Sequence, residues 1–305
     1  MMEKAKEITV VVLSRKKTGL AYDLQKNYFA YRSIIPYVIF ILVLVVYPVV
    51  HNILVSFQTG TTWSLQNYRD VLTDPLFWVI SGNTIIWTVS CVLLDLVVGL
   101  GLALLLNQDT RGKMIFRTII LVIPWATPDI VAAVTWKWMY NDMYGVLNDI
   151  LVKMGLIRGY LPWLAVPNLA KIAVIIANLW KGFAISAMFY LAALQTVPKE
   201  LHEAASIDGA NIWQRFIKVT IPAIRPYIMT TVMLTIIWTI NYFPLIFVMT
   251  NGGPSNATDT LVTHSYRTAF RFLDFSHSTA ISNINFIIVL TVSIIYTISL
   301  MRKEG

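Results

Sequence analysis

The chain has 305 residues, 57% of them hydrophobic and 13% charged, with a mean hydropathy of +0.65. Soluble domains carry about 45–50% apolar and about 25% charged residues, so this composition excludes a water-soluble enzyme and a disordered scaffold and points to membrane spans. The formal net charge of +8 is interleaved with long apolar runs, so it informs on membrane sidedness rather than on nucleic acid, which is not an expected partner.

Residues 1–32 are polar and basic and precede the first full-length apolar run. A secretory signal has a short apolar region and a small-residue cleavage site, so this stretch reads as a cytoplasmic N-terminal tail, either disordered or laid on the lipid of the inner leaflet. About 20 apolar residues at about 1.5 Å rise cross a bilayer. Six stretches qualify: 33–57, 80–106, 118–139, 169–194, 224–249 and 280–301. Hydrocarbon offers no partner to the backbone, so all six are expected to be helices. The expected fold is therefore an all-α, polytopic membrane protein, with 33–305 as one six-helix transmembrane domain.

Sixteen lysines and arginines fall on one face: seven in the tail, three each in 107–117 and 195–223, then Arg225, Arg302 and Lys303. The opposite face carries five, Arg69, Lys153, Arg158, Arg267 and Arg271. The positive-inside rule then puts both termini in the cytoplasm of a multi-pass cell-membrane protein. Of the outer connections, 140–167 carries Tyr160 and Trp163, amphipathic rings suited to the interface. The next outer connection holds Asn251-Gly252-Gly253-Pro254, a dense turn signal, and Asn256-Ala257-Thr258, which matches a glycosylation acceptor.

The inner loop 195–226 is too regular to be slack. Pro198 suits a first helical position, 199–208 contains good helix formers, and Gly209 can end that helix with φ > 0. Ile212, Phe216 and Val219 form an apolar stripe on a second helical run, and Pro222 and Pro226 are expected to break or bend the chain before the fifth span. Such a helix–Gly–helix either buries its stripe in a partner's groove, lies on the inner leaflet, or folds against its own bundle.

At these residues the sequence resembles the permease subunits of ATP-binding-cassette importers. Their cytoplasmic signature is Glu-Ala-Ala, three residues, Gly, nine residues, Ile, any residue, Leu-Pro. Here Glu203-Ala204-Ala205 is followed by Gly209 and, after nine more residues, by Val219-Thr220-Ile221-Pro222. Ile207-Asp208-Gly209-Ala210, Pro124 with Trp136-Lys137-Trp138, Gly145 with Asn148, and Asn251-Gly252-Gly253-Pro254 followed by Thr258-Asp259-Thr260-Leu261 are similar to the carbohydrate-uptake branch. They resemble the first of two permeases in maltose-type or glycerol-phosphate-type systems. The resemblance implies an extracellular solute-binding protein, a second, different permease subunit, and two cytosolic ATPases. It makes 195–226 the coupling loop seated in an ATPase cleft, with Glu203 meeting the cleft, Ala204 and Ala205 allowing a close fit, Gly209 supplying the turn and Pro222 closing the signature. The chain has no Gly-x-x-x-x-Gly-Lys-[Ser/Thr] phosphate cradle, so ATP-Mg is expected to be used by the partner and no cofactor by this chain.

Polar groups at membrane depth are costly and suggest function; Asp95, Asp129 and Lys181 are such groups, either paired between helices or facing a crevice. Trp238, Asn241, Tyr242 and Phe243 precede Pro244 in the fifth span, and Ser282, Asn283 and Asn285 lie in the sixth. Aromatic faces and amides there suit a sugar, with Asn241, Tyr242 and Trp238 as candidate contacts; the alternative is that they pack the bundle. Gly252, Gly253 and Pro254 on the outer face are candidates for docking the binding protein, or an ordinary tight turn. The four histidines, His51, His202, His264 and His277, show no metal spacing, and with Cys91 alone no metal site and no catalytic residue is expected. The leading reading is a sugar permease. A proton-coupled carrier working alone and a membrane-embedded glycosyltransferase are the alternatives.

Overall fold

Peptide groups in hydrocarbon must pair within their own segment, and the long apolar runs are helical accordingly. The computed structural model describes residues 28–108 and 113–304; most of the N-terminal tail, and the loop arginine Arg111, lie outside the described residues. The chain divides into two units, Met1–Val55 and Ser56–Gly305. The first holds all but the last residue of helix α1 (Arg32–Ser56), which includes one π-helical stretch at Leu42–Val46. Its aliphatic side chains are exposed on successive positions, as in a helix apolar all round.

In the second unit a short antiparallel hairpin, β1 (Gln58–Thr59) and β2 (Thr62–Trp63), leads into α2 (Gln66–Thr73) and α3 (Pro75–Asn107). Asp74 caps α3 by accepting from the Leu76 N–H at 2.8 Å, and Pro75 takes the first position, where its missing donor costs nothing. There follow α4 (Met114–Ala126), α5 (Asp129–Met139), α6 (Val146–Lys153), α7 (Pro167–Gln195), α8 (Lys199–Ile207), α9 (Ile212–Ile240), α10 (Pro244–Thr250), α11 (Leu261–Phe270) and α12 (Phe275–Glu304).

Two spans depart from the expected straight helices. The third, expected over 118–139, is broken: α4 and α5 meet at 98°. Pro128 forces its predecessor out of the helical region, and Thr127 is extended at φ −66°, ψ 124°. The fifth, expected over 224–249, begins twelve residues earlier and ends at Ile240, so the second half of the inner loop and the span are one helix. Pro222 and Pro226 do not break it. The wide turn of a π-helical stretch, Phe216–Thr220, precedes Pro222, and such a stretch relaxes the ladder where a proline removes a donor. The chain turns instead at Asn241–Phe243, ahead of Pro244.

The principal interface runs between α3 and α7 and is lined by small residues. Gly99, Ala103, Ala184 and Ala187 are buried there, and a Cβ on Gly99 would stand 3.0 Å from the Ser186 Cβ. Close backbone approach of this kind replaces the hydrophobic drive that lipid removes. Two packed layers result. One groups Trp87, Cys91, Ala133, Tyr140, Ala177 and Leu245; the other groups Ala103, Leu106, Leu121, Ala187, Tyr190 and Ile224. Along α3 and α7, Asp95, Asn178 and Lys181 fall between these layers, and the cavity they line is the site described next.

Candidate functional site

Helices α3, α4, α5, α7 and α9 line an open cavity of about 490 Å³, within the roughly 300–1,000 Å³ of small-molecule sites. It is lined by Asp95, Trp125, Asp129, Asn178, Lys181, Gly182, Ile185, Thr235, Ile237, Trp238, Thr239, Asn241 and Tyr242. The broken helices make it. At the first break the Lys181 ammonium donates to the Thr127 carbonyl and pairs with Asp129 Oδ1 at 3.0 Å. At the second, Trp87 Nε1 donates to the Thr239 carbonyl at 3.0 Å. The Tyr242 hydroxyl donates to Asp129 Oδ1 at 2.9 Å and so ties the two breaks together. The Thr127 carbonyl is thus satisfied by a side chain, and the Thr239 carbonyl by Trp87 beside the Tyr242 N–H, the condition under which irregular backbone survives at membrane depth.

Asp129, Lys181 and Asp95, which the sequence left as separate polar residues, therefore share one cavity. Asp95 is 2% exposed, and its Oδ1 has no hydrogen-bond partner among the described residues. It fits only because position 182 is glycine: a Cβ on Gly182 would lie 2.5 Å from Asp95 Oδ2. Trp238, Asn241 and Tyr242 all line the cavity. Phe243 does not; it stacks on Phe247 and Tyr266 with centroids 4.7 Å apart in each case. Ser282, Asn283 and Asn285 join helices instead, to Ser265, the Tyr68 hydroxyl and Asn241. Trp125, Asn178, Gly182, Thr235 and Thr239 were missed. The signal was available as two stripes at i, i+3, i+4 and i+7: Asn178, Lys181, Gly182, Ile185 and Thr235, Trp238, Thr239, Tyr242.

On the face bearing loop 195–226, Pro198 stands as the N-cap of α8 rather than inside it, and Gly209 takes φ +79° to end the helix. Asn211 and Gln214 form a capping box that starts α9. Glu203 and Ala204 are exposed and Ala205 half-buried. Ile207, Ile212 and Trp213 are 86%, 78% and 66% exposed, a large apolar surface at a helix–turn–helix corner. Of the expected stripe, Phe216 and Val219 are half-buried and only Ile212 faces outward.

At the other end, the Asn251–Pro254 turn closes over a buried carboxylate. Asp259, fully buried, accepts from Arg267 at 2.7 Å and from Thr263 at 2.5 Å. Gly252 is buried at φ +82°, where a Cβ would meet Asp259 Oδ1 at 2.7 Å. Gly253 and Pro254 are half-buried, flanked by exposed Asn251 and Ser255. Asn256 accepts from Arg267 and Thr258 is buried, so the glycosylation match is part of a packed turn. Trp163 packs on Tyr140 and donates to Asn148 Oδ1 at 2.9 Å.

An α-helical membrane bundle whose helix breaks bring polar and aromatic side chains to one open cavity, with an exposed helix–turn–helix at one end, fits a transport component of the permease class. The chain belongs to the family of binding-protein-dependent transport system inner membrane components, which it matches over residues 95–302. It is a multi-pass inner-membrane permease subunit of an ATP-binding-cassette importer. It is 34% identical over 273 residues to the trehalose/maltose transport system permease protein MalF of Thermococcus litoralis, covering 87% of this chain and 91% of that one. It is 32% identical over 290 residues to the sulfoquinovosyl glycerol transport system permease protein SmoG of Agrobacterium fabrum, covering 92% and 93%. Its fold matches a chain in the crystal structure of a bacterial importer of the acidic polysaccharide alginate, with TM-score 0.84, 21% identity, and coverage of 93% and 98%.

Proposed function

We propose that this chain and a second, different permease form the passage of a sugar importer that moves a mono- or oligosaccharide inward unaltered. The observation that carries the reading is the cavity, where the indole faces of Trp125 and Trp238 stand among the amides of Asn178 and Asn241 and the hydroxyls of Thr235, Thr239 and Tyr242. Flat apolar faces beside convergent hydrogen-bonding groups suit a polyhydroxylated ring. The names of the trehalose/maltose and sulfoquinovosyl glycerol relatives support the same class. Trp238, Asn241 and Tyr242 are the proposed sugar contacts.

An extracellular solute-binding protein delivers the sugar and docks at the Gly252-Gly253-Pro254 turn, through its exposed flanks Asn251 and Ser255. Both termini are cytoplasmic. Two cytosolic ATPases, which use ATP-Mg, grip loop 195–226; Glu203 faces their cleft, Ala204 and Ala205 allow close approach, Gly209 makes the corner and Pro222 follows the π-helical stretch. This chain itself binds no cofactor. Because α9 is continuous over 29 residues, it spans about 43 Å from the grip to the break beside Asn241. Displacement at the ATPase end is thereby delivered to one wall of the cavity. ATP shifts the permease pair only through contacts that differ between its two arrangements.

Uptake by the complete importer in proteoliposomes tests this. Glu203→Lys should abolish ATP-driven uptake with the spans still inserted, and Trp238→Ala should raise KM about tenfold with basal ATPase unchanged. Normal uptake in Glu203→Lys refutes the coupling assignment. Uptake that survives ATP depletion but collapses with the proton gradient would instead identify a self-sufficient carrier.

A further inference from the structure

We infer that the groove between α9 and α12 binds an anionic phospholipid, with its phosphate held by Arg225 and an acyl chain laid along the groove; the inference does not depend on the sugar reading. Helix α9 carries three cations, Arg215, Lys218 and Arg225, and no acidic residue. Among the described residues, none of the three side chains has an ion pair or a hydrogen bond. Lys218 and Arg225 are exposed. Arg225 stands at the start of the apolar run, next to Ile224, which is fully buried in the packed layer with Leu106, Leu121 and Tyr190. Tyr227, two residues on and 47% exposed, is a ring suited to the headgroup level. An ATPase seated on the exposed corner at Ile212 is about 20 Å away along the helix. A cation at the edge of hydrocarbon needs a counter-charge, and lipid phosphate is the one that the bilayer supplies there.

The groove continues from that cation. Arg225, Met229, Val232 and Ile236 recur at i, i+4, i+7 and i+11 and so share one face of α9. Met229, Val232 and Ile236 face Val292, Ile295 and Tyr296 of α12 across an open groove of about 420 Å³. The Tyr296 hydroxyl meets Thr230 Oγ1 at 3.4 Å, which sets the antiparallel register of the two helices. In that register Tyr296 and Ser299 stand at the end nearest Arg225, and only apolar side chains line the groove beyond them. Ile236 and Val292 also border a second groove, which carries the α9 wall on to Ile240. From Ile228 to Ile240 this wall is about 18 Å long, close to the roughly 15 Å of hydrocarbon in one leaflet. Cation, hydroxyls, then hydrocarbon is the order of a phospholipid's phosphate, ester and acyl chain.

The test is photocrosslinking in the complete importer, held in nanodiscs of equal parts phosphatidylglycerol and phosphatidylcholine. The photoreactive residue p-benzoylphenylalanine replaces Ile295, which is 63% exposed at the rim of the groove, and the adducts are identified by mass. Phosphatidylglycerol adducts should exceed phosphatidylcholine adducts about fivefold or more. Arg225→Gln should bring that ratio below about twofold, whereas Arg225→Lys, which keeps the charge, should retain most of it. Equal labelling of the two lipids with Arg225 intact overturns the inference, and so does an unchanged ratio in Arg225→Gln. Adducts to a helix of the second permease in place of lipid overturn it as well. Each of these results leaves the sugar reading intact, because no solute takes part.

Discussion

The ion pair between Lys181 and Asp129 is the joint of the site, and its removal has a calculable consequence. At 3.0 Å two unit charges attract by about 1.4 kcal/mol in water and about 5.5 kcal/mol at an effective dielectric of 20. Their side chains are 18% and 37% exposed, so solvent screens the pair and desolvation offsets part of the attraction, leaving a net coupling of about 1–2 kcal/mol. Lys181→Met also strips the Thr127 carbonyl of its donor at the break, which adds about 1 kcal/mol. Lys181→Met should therefore cost about 2–3 kcal/mol and Asp129→Asn about 1–2 kcal/mol. The double variant should cost about 1–2 kcal/mol less than their sum. At about 2–4 °C per kcal/mol for a chain of this size, Lys181→Met should unfold roughly 5–10 °C below the wild type. Thermal unfolding of the four proteins in nanodiscs closes the cycle. Additive effects, within about 0.4 kcal/mol, would refute the idea that this pair holds the two helix breaks together.

Other positions make separate claims. Gly252→Ala combines a left-handed backbone with a Cβ 2.7 Å from Asp259 Oδ1, and should destabilise the outer turn by about 2 kcal/mol or more, seen as faster hydrogen exchange over 251–260. Asn148, fully buried, donates to the Asn141 and Leu161 carbonyls and accepts from the Leu161 N–H and Trp163 Nε1. Asn148→Ala should cost about 3 kcal/mol and open the 140–167 connection to limited proteolysis, whereas Tyr160→Ala on the same connection should leave cleavage unchanged.

The apolar runs were legible because hydropathy is a local property: among the described residues five long apolar helices and the bent pair α4–α5 stand where the six runs declare themselves. The Gly209 corner and the Asn251–Pro254 turn were legible for the same reason, since positive φ and proline act on adjacent residues. Pro128 carried the third span's break equally locally, yet hydropathy averaged over 118–139 hides one extended residue. Pro222 misled in the opposite direction, because a π-helical stretch just ahead of it accommodates what a regular helix would not.

The cavity belongs to another level. Asp95, Asp129 and Lys181 lie 34 and 52 residues apart in the chain, and no periodicity within one helix states that their side chains converge. What brings them together is the close approach of α3 and α7 at Gly99 and Gly182 and the turn of α5 away from α4. The sequence alone settled which segments enter the membrane and which residues make the corners, through free energies each segment carries by itself. Only the packed bundle settled which polar groups neutralise one another and which of them line one cavity, because those energies exist between helices and depend on ångström distances.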